Sequence, residues 1–94
     1  MLTHEKIVEA VSKTVTQFSL KKVSYFGSYA DGAATEQSDL DLLVEFARPD
    51  VSLWTIADLK HRLEDHLNVS VDVIHAPLPQ GTLVKIGKTV AVYE

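Results

Sequence analysis

Apolar residues recur at helical spacing near the start of the chain. Ile7, Val8, Val11, Val15 and Phe18 mark one face of residues 4–18, which predicts an amphipathic helix with Thr3 as its N-cap. Val23 to Phe26 reads as a short strand stopped by Gly27. The small, mixed residues 28–34 fit a short helix or helical turn ending near Gly32. The clearest pattern is the alternation over 39–46. Leu40, Leu42, Val44 and Phe46 fall on one face, and Asp39, Asp41, Leu43 and Glu45 on the other, which predicts a strand with one buried side. Arg48-Pro49-Asp50 is a turn. Ser52 then caps a second helix over 53–67, with Leu53, Ile56, Leu59, Leu63 and Leu67 inward and Asn68 at its end. Ser70 to His75 predicts a third strand. Pro77 and Pro79 break the chain, a helical turn follows over 80–86, and Thr89 to Tyr93 forms a last strand.

Helices and strands alternate, which gives an α/β (α+β) class with a small sheet. One sheet face is apolar and needs a cover, which the two long helices supply. The other carries carboxylates and cannot lie beneath a second apolar layer. The expected architecture is therefore two layers with an open acidic face, in one domain over residues 1–94.

Composition narrows the function. The 94 residues are 46% hydrophobic and 23% charged, an ordinary globular balance. Nine Lys+Arg against 13 Asp+Glu leave a net charge of −4, which argues against direct nucleic-acid binding, since coating phosphates takes clustered cations. The absence of cysteine excludes disulfides, zinc thiolates and a cysteine nucleophile. No apolar run approaches the ~20 residues of a membrane span, and the first residues are too acidic for a signal peptide. A cytoplasmic protein is the expectation.

The chemistry sits on the polar side of the sheet. Asp39 and Asp41 are two apart on a strand and share a face. Asp72, with Val71 and Val73 turned to the core, points the same way if its strand lies beside theirs. Two carboxylates at ~4 Å and an effective dielectric of ~20 repel by roughly 4 kcal/mol, a cost relieved by water or by divalent cations. Carboxylate oxygen suits Mg²⁺, and two such ions ~3.5–4 Å apart can clamp an in-line displacement at phosphorus. Gly27-Ser28, between the first strand and the short helix, offers backbone approach, free N–H groups and a hydroxyl for the phosphates.

These segments, Gly27-Ser28-Tyr29-Ala30-Asp31-Gly32 followed by Ser38-Asp39-Leu40-Asp41-Leu42, resemble the signature of the polymerase-beta-like nucleotidyltransferases. In particular they resemble the minimal nucleotidyltransferases, often encoded beside a HEPN-domain toxin. The resemblance implies a two-layer nucleotidyltransferase fold with a small mixed sheet. It implies that Asp39 and Asp41 bind two Mg²⁺ ions, that Asp72 completes the site of the ion activating the acceptor hydroxyl, and that Gly27 and Ser28 hold the β- and γ-phosphates of ATP. The activity implied is transfer of AMP from ATP to a hydroxyl of the partner HEPN toxin, a tyrosine, as a type VII-like antitoxin. A complex with the toxin or a homo-oligomer is expected, and no membrane partner. Two readings compete: an antitoxin that neutralises its toxin by contact alone, or a transferase acting on a small molecule such as an aminoglycoside. Many family members carry cations where Tyr29 and Asp31 stand, so this turn has lost positive charge.

Other features are set aside. Gly81–Thr89 has a residue too many for a P-loop and no room for the helix that should follow. Only three residues separate Arg62 from His66, fewer than the HEPN ribonuclease motif needs. His4, His61, His66 and His75 share no metal-ligand spacing. Glu45, some 13 Å along the strand from Asp41, reads as solvated, Asp31 as a surface residue, and Trp54 as a core residue ahead of a partner contact. The last strand reads as an edge open to another chain.

Overall fold

The computed structural model describes residues 2–76 and 87–94; the helical turn expected over 80–86 and most of the P-loop lookalike lie outside them. The first helix, α1, begins as the sequence predicts: the Thr3 hydroxyl accepts the Lys6 N–H at 3.2 Å. It ends earlier than expected. α1 spans His4–Ser12, and a separate turn, α2, spans Val15–Phe18. Thr14 makes the break. Its side chain is buried, and both its hydroxyl (2.7 Å) and its N–H (2.9 Å) donate to the Val11 carbonyl. That local alternative to the helical ladder is the competition expected of threonine.

Ser19, in the left-handed region (φ 53°), turns the chain into β1, Leu20–Phe26. This strand starts three residues before the predicted one. Leu20 and Val23 are both buried although an odd number of residues apart, because a register irregularity between Leu20 and Lys22 resets the alternation. A strict period of two cannot see such a strand start. The one-turn helix α3, Ser28–Asp31, follows, then β2, Leu40–Phe46, whose buried and half-buried residues alternate as predicted.

Helix α4, Leu53–Leu67, is capped by Ser52, whose hydroxyl accepts the Thr55 N–H at 3.2 Å, and ends at Asn68 with φ 56°. It crosses from β2 to β3, Val71–Ala76, which pairs with β2 in parallel, the connection such pairing requires. β1 is antiparallel to β2 and to β4, Val90–Tyr93. The mixed sheet has the order β3-β2-β1-β4, which leaves β4 at an edge as the sequence suggests. The core lies on one side of it: Ile7, Ala10 and Val11 of α1 and Leu59, Leu63 and Leu67 of α4 pack on Leu40, Leu42 and Val44.

Leu53 and Trp54 are not in that core; each is 83% exposed. Trp54 stands nine residues before Leu63, about two and a half turns, so it points away from the buried stripe. Among the described residues no helix is long and apolar enough to cross a membrane.

Candidate functional site

The site forms where β1, β2 and β3 end on the side of α3. Tyr25, buried near the end of β1, keeps its hydroxyl satisfied against His4 Nδ1 at 2.9 Å. Two residues on, Gly27 adopts φ 70°, ψ −146°, a region nearly reserved for glycine. Space demands glycine as well, since a Cβ at this position would overlap Asp41 Oδ2. The missing side chain thus lets the Asp41 carboxylate lie against the turn. The N–H of Asp31 returns to the Gly27 carbonyl (3.0 Å) and that of Ala33 to the Ser28 carbonyl (2.9 Å), closing α3 onto Gly32 at φ 75°. The first N–H groups of such a turn have no partner within it. Ser28 is half-buried beside them.

Asp41 is half-buried on the sheet face turned away from α1 and α4, and is the register partner of Asp72 across the parallel β2–β3 ladder. Asp72 itself is exposed. Asp39 is exposed one residue before β2, held by a turn in which the Ser38 hydroxyl accepts the Thr35 N–H at 2.8 Å and the Ser38 N–H reaches the Thr35 carbonyl at 3.1 Å. The carboxyl of Asp41 is held above the usual carboxylate range, first by burial, then by the charge of Asp72 and a carboxyl–carboxyl hydrogen bond to it, and last by the charge of Asp39. Asp41 therefore senses both other acids, Asp72 ahead of Asp39. Among the described residues no three His, Asp or Glu side chains close into a cage for a metal ion. The donor set fits an open site of hard oxygen ligands, in which bound phosphate and water would complete the coordination, the arrangement Mg²⁺ favours.

Two supporting residues escape a reading of local sequence. Glu64 Oε2 accepts the Val71 N–H at 3.0 Å, tying the start of β3, and so Asp72, to α4. Glu64 carries no signal beyond lying one turn before Leu67. Glu45 is half-buried rather than solvated, and lines a groove on the same sheet face as Asp41. In the turn, the Tyr29 hydroxyl accepts the Leu2 N–H at 3.4 Å, while Asp31 is exposed, as expected.

Residues 4–91 match the nucleotidyltransferase domain family. The chain belongs to that family. A Thermococcus cleftensis protein adenylyltransferase, MntA, is 37% identical to this nucleotidyltransferase over 71 residues, 74% of this chain and 71% of that one. A Methanocaldococcus jannaschii protein, provisionally named a protein adenylyltransferase, is 38% identical over 58 residues, 62% of this chain. The nucleotidyltransferase spans 58% of that relative's length and 65% of a second one from the same organism. The fold is also similar to that of a chain in the solved complex of a tri-AMPylated Shewanella oneidensis HEPN toxin with an MNT antitoxin, at a TM-score of 0.70 and 17% identity, covering 97% of this chain and 72% of that one. The expected mixed α+β nucleotidyltransferase fold is thus the fold observed.

Proposed function

We propose that this nucleotidyltransferase transfers AMP from ATP to a tyrosine hydroxyl of a partner HEPN toxin and acts as its antitoxin, in the cytoplasm. The observation that carries the proposal is the apposition of Asp41 to both Asp72 and Gly27, which brings paired carboxylates against a turn built for close approach. The names of its adenylyltransferase relatives and the AMPylated toxin in the matching complex support the same reading.

In this account Gly27 and Ser28 donate N–H groups and a hydroxyl to the β- and γ-phosphates, and Asp39, Asp41 and Asp72 would hold two Mg²⁺ ions. The chemistry such ions would supply there is neutralisation of charge on the reacting phosphate and its leaving group. The acceptor oxygen forms a bond to the α-phosphorus, the bond to the bridging oxygen breaks, and pyrophosphate leaves. The phenolic proton passes to the Asp72 carboxylate, which stands exposed beside Asp41 and within reach of solvent.

The test is transfer of label from α-labelled ATP, with Mg²⁺ present, to a HEPN-type toxin co-expressed with the chain. Labelled toxin is the expected result, and its absence with a folded chain overturns the proposal. A second reading, neutralisation by contact alone, is favoured by one observation: Tyr29 and Asp31 supply no cation to the triphosphate. It requires that Asp39→Ala with Asp41→Ala still protect cells from the toxin, whereas catalytic action requires that protection be lost.

A further inference from the structure

The sheet face that carries Asp41 and Asp72 does not end at the acids. A groove of about 400 Å³ continues along it across all four strands. Leu43, Ala76 and Ala91 form its floor, and Lys22, Glu45 and Glu94 stand among its charged walls. The register agrees with one continuous surface, since Glu45 faces Lys22 on β1 and Ala76 on β3, and Ser24 faces both Leu43 and Ala91. Leu43 and Glu45 lie two and four residues beyond Asp41, roughly 7 and 13 Å along the strand.

The direction of this groove has a chemical meaning. In-line displacement at phosphorus brings the acceptor oxygen in opposite the leaving group. With pyrophosphate held at Gly27 and Ser28, past the end of β1, the opposite approach lies back over the sheet, where the groove runs. Its charged lining is acidic on balance, Glu45 and Glu94 against Lys22. Among the described residues the only ion pair within 4 Å is Glu9–Lys13, so half-buried Glu45 makes no ion pair with a described cation, its cross-strand neighbour Lys22 included.

We infer that this groove seats the acceptor as an extended polypeptide, with Glu45 a specificity-determining residue that selects a basic side chain about four positions from the acceptor tyrosine. Four residues of extended chain span the same ~13 Å that separates Glu45 from Asp41. The apolar floor accepts the aliphatic stem of Lys or Arg, and the carboxylate takes its head. The inference rests on the proposed transfer to a protein tyrosine, but its test does not depend on turnover.

Two fluorescent peptides with one central tyrosine, carrying either Arg or Glu four positions to each side, are titrated onto the whole chain with Mg²⁺ and a non-hydrolysable ATP analogue. The wild type should bind the Arg peptide at least about tenfold more tightly, the size of one useful charge pair. Glu45→Lys should reverse the order and Glu45→Gln abolish the preference, with melting curves showing that each variant is folded. Binding of the ATP analogue should be unchanged in both. Equal binding of the two peptides, binding of neither, or a preference that survives Glu45→Lys overturns the inference. So does an equal loss of nucleotide affinity, which would make the groove part of the nucleotide seat. Preference without AMP transfer would leave the groove standing and the proposed activity refuted; transfer to tyrosine without preference would do the reverse.

Discussion

Gly27 shows most directly how a single residue makes the site. Its backbone lies where other residues are strained, and its missing side chain is the space that Asp41 Oδ2 occupies. Gly27→Ala should therefore cost about 1–3 kcal/mol of stability and displace Asp41, lowering AMP transfer far more than the loss of folded protein explains. Thermal melting and single-turnover labelling, taken together, check this. Asp41 makes a prediction in pH. Its raised pKa means that the folded state holds the proton more tightly than the unfolded chain does. The stabilising contribution is therefore complete below the unfolded value of an aspartate, and is lost as pH rises through the raised folded value. In EDTA, Asp41→Asn should melt close to the wild type at acid pH and a few degrees above it at neutral pH. Saturating Mg²⁺ should then raise the melting temperature of the wild type and leave that of the variant nearly fixed. A variant that melts below the wild type at neutral pH in EDTA would contradict the carboxyl contact.

At the scale of elements, Glu64 joins the helix layer to the site. Removing its carboxylate leaves the part-buried Val71 N–H without its partner, a loss of about 1–3 kcal/mol. Glu64→Ala should lower stability by that amount and reduce transfer as the start of β3 loosens beside Asp72, while Glu64→Gln, which keeps an acceptor oxygen, should recover most of both. Hydrogen exchange at Val71 gives the direct readout. The same scale shows what the sequence could disclose. β2 was legible because its four apolar residues alternate without interruption, and α4 because Ser52 and Asn68 bracket an apolar stripe. The break at Thr14 was not, since it depends on a threonine bonding to its own backbone rather than on hydrophobic spacing. The early start of β1 was hidden by the irregularity after Leu20. The exposure of Trp54 could have been counted from the helical period, and apolar character misled. For the site, parity along the strand gave the face of Asp41 and of Asp72, but their pairing is a matter of strand order, which no local pattern contains.

At the scale of the whole molecule, the core and the candidate site occupy opposite sides of one sheet. Leu40, Leu42 and Val44 bury their side chains against α1 and α4, and Asp41 alternates with them on the other face. A strand that alternates in this way lets one set of residues change without disturbing the other. Leu63→Ala, at a fully buried position, should cost about 2–5 kcal/mol, and the chain that remains folded should transfer AMP at the normal rate per molecule. Asp39→Ala with Asp41→Ala should do the opposite. It removes mutual repulsion and no core contact, so in EDTA the variant should melt no lower than the wild type, and it should still bind the proposed toxin while labelling none of it. If instead the double variant unfolds, the acids are part of what holds the strands together, and loss of activity in it could not be assigned to chemistry. The separation of the two faces is thus itself testable, by comparing melting temperature with transfer per folded molecule in these two variants.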